Sequence, residues 1–270
     1  MRFSIARIQR ASEAPFLLKT STTDRLHTLS AIIFWLAIWQ IIALLVGQKI
    51  LLVGPVETLE RLFEMLGEKS FYLALLFSLS RILLGLVSSF LLAAVFAFLS
   101  YRASIVRTAL SPLVSALKAT PVASITILIL IWISSRNLSL VISFLMVFPI
   151  VYSILLEGLM SVDGKILEMA DVFRIRRAKR IKYIFLVHLV PFIRSAISSS
   201  LPLCFKSAVA AEVIAIPSSS IGSMLYDAKL YLDTASLFAL TVAIIILSFA
   251  FEKGLIWGSE KILSRIEGSL

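Results

Sequence analysis

The run FYLALLFSLSRILLGLVSSFLLAAVFAFLS, residues 71–100, decides the class to which this protein belongs. Arg81 is the only charged residue in the run, and nearly all other positions are apolar or small. An α-helix of about 20 apolar residues crosses the roughly 30 Å hydrocarbon core of a bilayer. The run therefore predicts a transmembrane helix that is long enough to tilt or to project beyond the membrane.

The whole chain has the composition of an integral membrane protein. Of its 270 residues, 59% are hydrophobic and 16% are charged, whereas soluble domains have about 45–50% apolar and about 25% charged residues. Pro112 and Pro121 lie within one apolar run and predict that this span is broken into two shorter helices. The hydropathy predicts an all-α fold with about six transmembrane helices, at about 28–46, 71–100, 104–133, 138–156, 184–216 and 234–251.

The basic residues predict which way the chain crosses the membrane. With six spans, 17 of the 26 lysines and arginines lie on the side that carries both termini and the 157–182 loop. Basic loops stay in the cytoplasm, so this side is predicted to be cytoplasmic. The predicted organisation is a cytoplasmic arm at 1–27, one transmembrane domain at 28–256 and a cytoplasmic tail at 257–270. The polar arm, with no small-residue cleavage site after the first span, predicts a retained signal anchor.

Several kinds of function are excluded by the composition. The net charge of +10 is assigned to loops that face anionic lipid, and no nucleic-acid partner is expected. Cys204 is the only cysteine, and His27 and His188 lie far apart, so neither an internal disulfide nor a metal site is expected. No phosphate-binding loop occurs in the sequence, and the chain itself is expected to bind no cofactor.

One polar connection has a helical pattern of its own. In GPVETLERLFEMLGEK, residues 54–69, apolar side chains recur at spacings of three and four, which places them on one helical face. The pattern predicts an amphipathic helix lying on the outer surface of the membrane. The residues of the predicted face are Val56, Leu59, Leu62, Phe63 and Leu66.

The segment DGKILEMADVFRIRRAKRIK, residues 163–182, carries ten charges in an otherwise apolar chain. Asp163 is suited to cap a helix in which Ile166, Met169, Ala170 and Phe173 form a short apolar stripe. The basic residues follow the stripe instead of flanking it, which favours insertion into a groove of a partner over binding flat on anionic lipid. The remaining alternative is an ordinary basic loop that only sets orientation.

Charged residues within the predicted spans are candidates for function because they are costly in a bilayer. The candidate pathway residues are Lys206, Glu212, Arg81 and Ser199. Lys206 and Glu212 lie in a span rich in serine and alanine, but six positions place them about 240° apart on a helix, so they do not pair along one face. Structural pairing with other helices is the alternative for both, and Arg81 is equally suited to a structural contact. Lys118 is predicted where the broken span turns.

The segment EMADVFRIRRAKRIKYIFLVHLVP, residues 168–191, resembles the E-A-A-x-x-x-G signature of inner-membrane permease subunits of ABC importers. Arg174 stands where the signature has glycine, and Val187 stands at the first of its two later prolines. The resemblance extends over about residues 51–253 and is greatest to the nitrate, sulfonate and taurine type. It includes the S-x-x-R-x-x-x-G pattern of the second span, which falls on Ser78, Arg81 and Gly85.

The resemblance implies a MetI-like permease that forms the pathway of an ATP-driven importer for a small solute, with sulfonates, nitrate- or bicarbonate-like anions and vitamin precursors as the candidate classes. Its partners would be two cytoplasmic P-loop ATPase subunits, which hold the ATP and Mg, a second permease copy forming a homodimer, and an extracytoplasmic binding protein or lipoprotein. The location would be the bacterial inner membrane. Residues 163–173 would form the helix that couples to the ATPase, and the basic residues 174–182 would face lipid head groups or the ATPase. The coupling residues would be Asp163, Ile166, Glu168, Met169, Ala170, Phe173 and Arg174.

Two other function classes fit the sequence less well. A secondary active transporter would use Glu212 for ion coupling, but the chain has no internal repeat of the kind common in such transporters. An intramembrane enzyme would need a catalytic constellation such as H-E-x-x-H, which the sequence lacks. The chain is therefore predicted not to be an enzyme.

Overall fold

A computed structural model describes the chain from Thr22 to Gly268, so residues 1–21 of the predicted arm lie outside the described part. Within that part the chain is helical between short connections and has no β-strand. A π-helical turn at Ile181–Phe185 joins the short helix Arg177–Arg180 to the long helix Leu186–Ala215. The helices are α1 Thr22–Val46, α2 Pro55–Leu66, α3 Lys69–Arg102, α4 Ser104–Ala119, α5 Val122–Leu130, α6 Ser135–Met160, α7 Gly164–Val172, α8 Arg177–Arg180, α9 Leu186–Ala215, α10 Ile221–Leu230 and α11 Thr234–Gly268.

The apolar helices confirm an all-α membrane protein with about six spans. Among the described residues, α1, α3, α6, α9 and α11 are each long and apolar enough to cross a bilayer. The pair α4 and α5 passes the same length and composition test together, with a bend of 105° between them. Counting this bent pair as one broken span gives the sixth. Helical structure in α11 continues through Gly268, into the segment predicted as a tail.

The break in the third span lies at one of the two prolines only. Thr120 has extended backbone angles, as the residue before a proline prefers, and Pro121 then caps α5. Pro112 instead lies inside the uninterrupted α4, so the predicted division of this span into two shorter helices is confirmed, with the break at Pro121. Long helices also accommodate Pro191 and Pro202 within α9.

The centre of the fold is α6, which packs against α3 on one side and α9 on the other. At Gly85 of α3, an added Cβ would lie 2.5 Å from the Leu140 carbonyl oxygen and 2.6 Å from Ser143 Cβ. Gly158 leaves similar room for the ring of Phe192 on α9. Small residues let membrane helices approach closely. The buried small residues of α3 include Ser78, Ser89, Ala93 and Ala97.

Aromatic contacts order the end of this core that leads to α7. Phe148 and Tyr152 stack with ring centroids 6.0 Å apart, and Phe96 meets Phe148 edge-on. The Tyr152 hydroxyl donates a hydrogen bond to Ser100 Oγ at 2.9 Å. A buried Tyr hydroxyl needs such a partner. The contact holds the last turn of α3 against α6, close to the segment that carries the charged loop.

The predicted amphipathic helix forms, and its apolar side chains divide between a packed and an exposed part. Leu62 and Met65 of α2 pack into a cluster with α10 and α11, whereas Val56, Leu59 and Phe63 are exposed. Exposed apolar side chains are what a helix lying on a membrane surface requires, so Val56, Leu59 and Phe63 suit the predicted face, and their contact with lipid stays a prediction. A tertiary contact decides the orientation: Arg61 Nε donates to Ser236 Oγ in the first turn of α11 at 2.8 Å.

Asp233 caps the start of α11 beside the same contact. Its Oδ1 accepts a hydrogen bond from the Ser236 backbone N–H at 3.0 Å. Burial alone would raise the pKa of Asp233, but the hydrogen bonds from Ser236 and the nearby Arg61 guanidinium together lower it below its ordinary value. The ionised carboxylate is therefore the form that the folded state favours.

Candidate functional site

The charged loop folds into the short helix α7, which begins and ends with side-chain and backbone caps. Asp163 is its N-cap, and its side chain accepts a hydrogen bond from the Lys165 backbone N–H at 2.9 Å. This is the cap that the sequence predicted. At the other end, Arg174 N–H donates to the Asp171 carbonyl at 3.0 Å and Ile175 N–H donates to the Ala170 carbonyl at 2.9 Å. These two bonds are those of a Schellman motif.

The Schellman motif explains why the resembled signature has glycine where this chain has arginine. Arg174 is the residue just past the helix end, and its φ is +47°. Glycine adopts this left-handed conformation without steric cost, whereas a residue with a Cβ is destabilised by about 1–2 kcal/mol. The turn is thus kept with arginine in the strained position.

Arg180, which follows Ala170 by ten positions in the sequence, binds the C-terminal end of α7. Its guanidinium donates to the carbonyl oxygens of Ala170 and Ile175, at 3.0 and 3.1 Å, and pairs with the Asp171 carboxylate. The Ala170 carbonyl therefore accepts bonds from both Arg180 and the Ile175 backbone. Sequence reasoning missed Arg180 because a spacing of nine or ten residues across a turn has no periodic signal.

Most of the predicted apolar stripe of α7 is exposed. Phe173 is 73% exposed, Met169 48% and Ile166 42%, and Glu168 is also on the exposed side. Ala170 instead is fully buried, beside the Arg180 contact. Between its two caps, α7 makes few contacts with the membrane helices. The structure thus presents an unpartnered surface of three apolar side chains and one carboxylate; the role of these residues stays a prediction.

Lys206 and Ser199 lie together on one exposed face of α9. This face also includes Ser195, Leu203 and Ala210, at spacings of three and four residues. Between α9 and α11 lies a groove of about 570 Å³ whose lining includes Lys206, Phe249 and Glu252. The groove offers one cation and one carboxylate within an otherwise apolar wall, in keeping with a pathway role for Lys206, which stays a prediction.

Glu212 has a different environment from Lys206. Its side chain is fully buried, and its Oε2 accepts hydrogen bonds from Ser78 Oγ at 2.6 Å and from the Gly222 N–H at 3.3 Å. Ser78 in turn accepts from the Ile221 N–H at 3.1 Å. These contacts join α3, α9 and the N-terminus of α10. In this conformation Glu212 holds three helices together, and its predicted pathway role is untested.

Arg81 and Lys118 are both engaged in contacts between elements. Arg81 Nη1 donates to Asn137 Oδ1 at 2.8 Å, and its guanidinium lies 5.4 Å from the centre of the Phe77 ring. Lys118 Nζ donates to Ser153 Oγ at 2.7 Å, which ties the end of α4 to α6. These contacts suit the structural alternative for Arg81 and leave its pathway role a prediction.

Comparison with known proteins gives one matching family and several relatives. The family model "Binding-protein-dependent transport system inner membrane component" matches residues 82–252, well over half of the chain. A putative aliphatic sulfonates transport permease protein of Bacillus subtilis is 28% identical over 207 residues, 76% of this chain and 74% of that protein. The taurine transport system permease protein of Escherichia coli is 26% identical over 223 residues, 80% of this chain and 81% of that protein. A probable ABC transporter permease protein of Brucella melitensis is 27% identical over 205 residues, which are 76% of this chain and 83% of that protein.

Proposed function

The chain belongs to the family of binding-protein-dependent transport system inner membrane components, the permease subunits of ABC transporters, and on this premise we propose that it forms the translocation pathway of an ATP-driven importer. Two cytoplasmic ATPase subunits bind ATP and Mg²⁺, and a binding protein or lipoprotein outside delivers the solute. The chain lies in a bacterial inner membrane with both termini in the cytoplasm. It acts as a transporter subunit and not as an enzyme, and no cofactor is assigned to it.

The observation that carries this proposal is the exposed surface of α7. A helix of nine residues that leaves Phe173, Met169 and Ile166 in contact with water is unfavourable unless a partner covers them. An amphipathic helix inserts such side chains into an apolar groove of its partner. Arg180 and the Schellman motif fix α7 to α8, which continues through the π-helical turn into α9, so that a displacement of the ATPase groove is transmitted to a membrane helix.

Co-purification with the ATPase tests this coupling. We expect Phe173→Asp to abolish recovery of a co-expressed P-loop ATPase from its genomic neighbourhood, because a charge would replace the most exposed aromatic side chain of α7. Phe63→Asp is the matched control: Phe63 is 70% exposed, against 73% for Phe173, but it lies on the outer helix α2. Equal ATPase recovery with the two variants, both inserted in the membrane, would contradict the proposal.

A second copy of the chain completes the pathway in this proposal. The polar face of α9 and its groove toward α11 lack a covering helix within the described chain. The named relatives are permeases for taurine and, putatively, aliphatic sulfonates. Lys206 supplies the positive charge that a sulfonate group would meet in the apolar wall. We therefore assign small sulfonates as the solute class and a homodimer as the assembly.

Uptake measurements test the solute class and the role of Lys206. With the complete transporter reconstituted in vesicles, we expect ATP-dependent uptake of radiolabelled taurine or another alkanesulfonate. Lys206→Gln should reduce uptake at least tenfold and leave ATPase binding unchanged, whereas Lys229→Gln, at an exposed position of α10, should leave both unchanged. Unchanged uptake in Lys206→Gln would remove Lys206 from the pathway, and absence of sulfonate uptake would refute the solute class.

The alternative of a secondary transporter is not favoured by the family. It would require Glu212 to exchange ions with water, whereas this side chain is fully buried and bonded to Ser78 and Gly222. Uptake that persists after inactivation of the ATPase would revive it.

A further inference from the structure

A cavity of about 700 Å³ lies between the end of α3, the turn after α7 and the start of the π-helical segment. Its wall contains four arginines, Arg102, Arg174, Arg176 and Arg180, and a single carboxylate, Asp171. Ligand pockets in proteins have about 300–1,000 Å³. The cavity is separate from the groove beside Lys206 and from the exposed surface of α7 that we assign to the ATPase.

The charges in this cavity are not balanced by the protein. Arg180 uses Asp171 as its counterion. Within the described part of the chain, Arg102, Arg174 and Arg176 form no ion pair. The Arg102 guanidinium carbon lies over the ring of Phe98, 5.9 Å from its centre. Three arginines that line one cavity and form no ion pair with its single carboxylate favour an anion with several acceptor oxygens.

The rest of the cavity wall is apolar and belongs to helices that cross the membrane. Phe98 and Tyr101 lie in the last turns of α3, and Phe185 lies just before α9, with the Tyr101 and Phe185 rings 5.6 Å apart. Arg102 is the last residue of α3. The arginines therefore lie at the membrane surface and the rings lie on its apolar side. This arrangement fits an amphiphile better than a free ion.

Arg174 adds an independent indication of function. It keeps a left-handed backbone, with φ of +47°, where glycine would be unstrained, and its side chain lines the cavity. Strained residues of this kind cluster at functional sites. The free energy that the Arg174 side chain gains by binding a ligand would offset this backbone strain.

We infer that this cavity binds the phosphate head group of an anionic phospholipid from the cytoplasmic leaflet. The three unpaired arginines bind the phosphate, and Phe98 and Phe185 contact the upper acyl chain. Because Arg174 and Asp171 belong to the cap of α7, the bound lipid connects that helix to the end of α3. Lipid composition would then control how firmly the ATPase-coupling helix is held.

Lipid binding to the purified full-length chain tests this inference. Native mass spectrometry in mild detergent would titrate the chain with phosphatidylglycerol and, separately, with phosphatidylcholine. We expect preferential retention of phosphatidylglycerol. Arg102→Gln and Arg176→Gln should each weaken its binding about fivefold, the factor equivalent to about 1 kcal/mol per basic residue at an anionic surface. Arg136→Gln, which removes an exposed arginine at the opposite end of α6, is the control and should have no effect.

Arg174→Gly separates ligand binding from folding. Glycine suits the observed φ, so this variant should be at least as stable as the parent chain and should still lose about fivefold in phosphatidylglycerol affinity. Equal retention of the two lipids by the parent chain, or equal loss in Arg136→Gln, would overturn the inference. Displacement of the lipid by equimolar glycerol phosphate would assign the cavity to a free anion. Displacement by the added ATPase would assign it to a protein contact.

Discussion

Replacing Glu212 by alanine tests whether this carboxyl group holds the helices together. The substitution removes the acceptor for the Ser78 hydroxyl, at 2.6 Å, and for the Gly222 N–H, at 3.3 Å, in a site with no exposed surface. Each buried donor left without a partner costs about 1–3 kcal/mol. The loss of two partners therefore predicts a destabilisation of about 2–6 kcal/mol, before any cavity is counted. Glu212→Gln keeps an acceptor oxygen in the same place and should cost about 1 kcal/mol or less.

Thermal stability of the purified chain measures this difference. The readout is the temperature at which half of the detergent-solubilised protein is lost from its monodisperse size-exclusion peak. We expect Glu212→Ala to lower this temperature by several degrees or to prevent recovery of folded protein, with Glu212→Gln close to the parent chain in stability and in uptake. A stable Glu212→Ala variant would refute the structural role. A stable Glu212→Gln variant without uptake would return Glu212 to the pathway.

Three further predictions follow from single contacts. Gly222→Ala should destabilise the chain by more than 2 kcal/mol in the same assay, because the new Cβ would lie 2.3 Å from Glu212 Cβ and 2.5 Å from its backbone carbon. Arg180→Gln should leave thermal stability nearly unchanged but increase proteolysis within residues 163–180 and weaken ATPase binding, because the cap of α7 loses three contacts. Asp233→Asn should lower stability by about 0.5–1 kcal/mol at pH 7, where the carboxylate is ionised. Because the pKa of Asp233 is lowered in the folded state, the stability difference between the parent chain and Asp233→Asn should be fully present above the ordinary pKa of 3.8 and should disappear as the pH falls below it. A stability difference that persists at pH 2 would contradict the role of the ionised carboxylate.

The membrane class, the spans and the short helix α7 could be read from local patterns. Apolar runs longer than about 20 residues identify spans whatever their neighbours are. Asp163 followed by apolar residues at three- and four-residue spacings identified α7, and the structure places its N-cap where the pattern did. The packing of α2 against α11 could not be read in the same way, because it depends on Arg61 reaching Ser236, which is 175 positions away.

The sequence by itself determined which segments lie in the membrane, that they are helical, and which family the chain resembles. These properties follow from hydropathy and periodicity, which are local quantities. Only the tertiary structure decided which groups surround the charged side chains within the spans and at their ends. It buried Glu212 against Ser78 and Gly222, left Lys206 on an open face, and brought Arg102 to the same cavity as Arg174. A charge acts through the groups that surround it, and in this fold those groups come from helices that are distant along the chain.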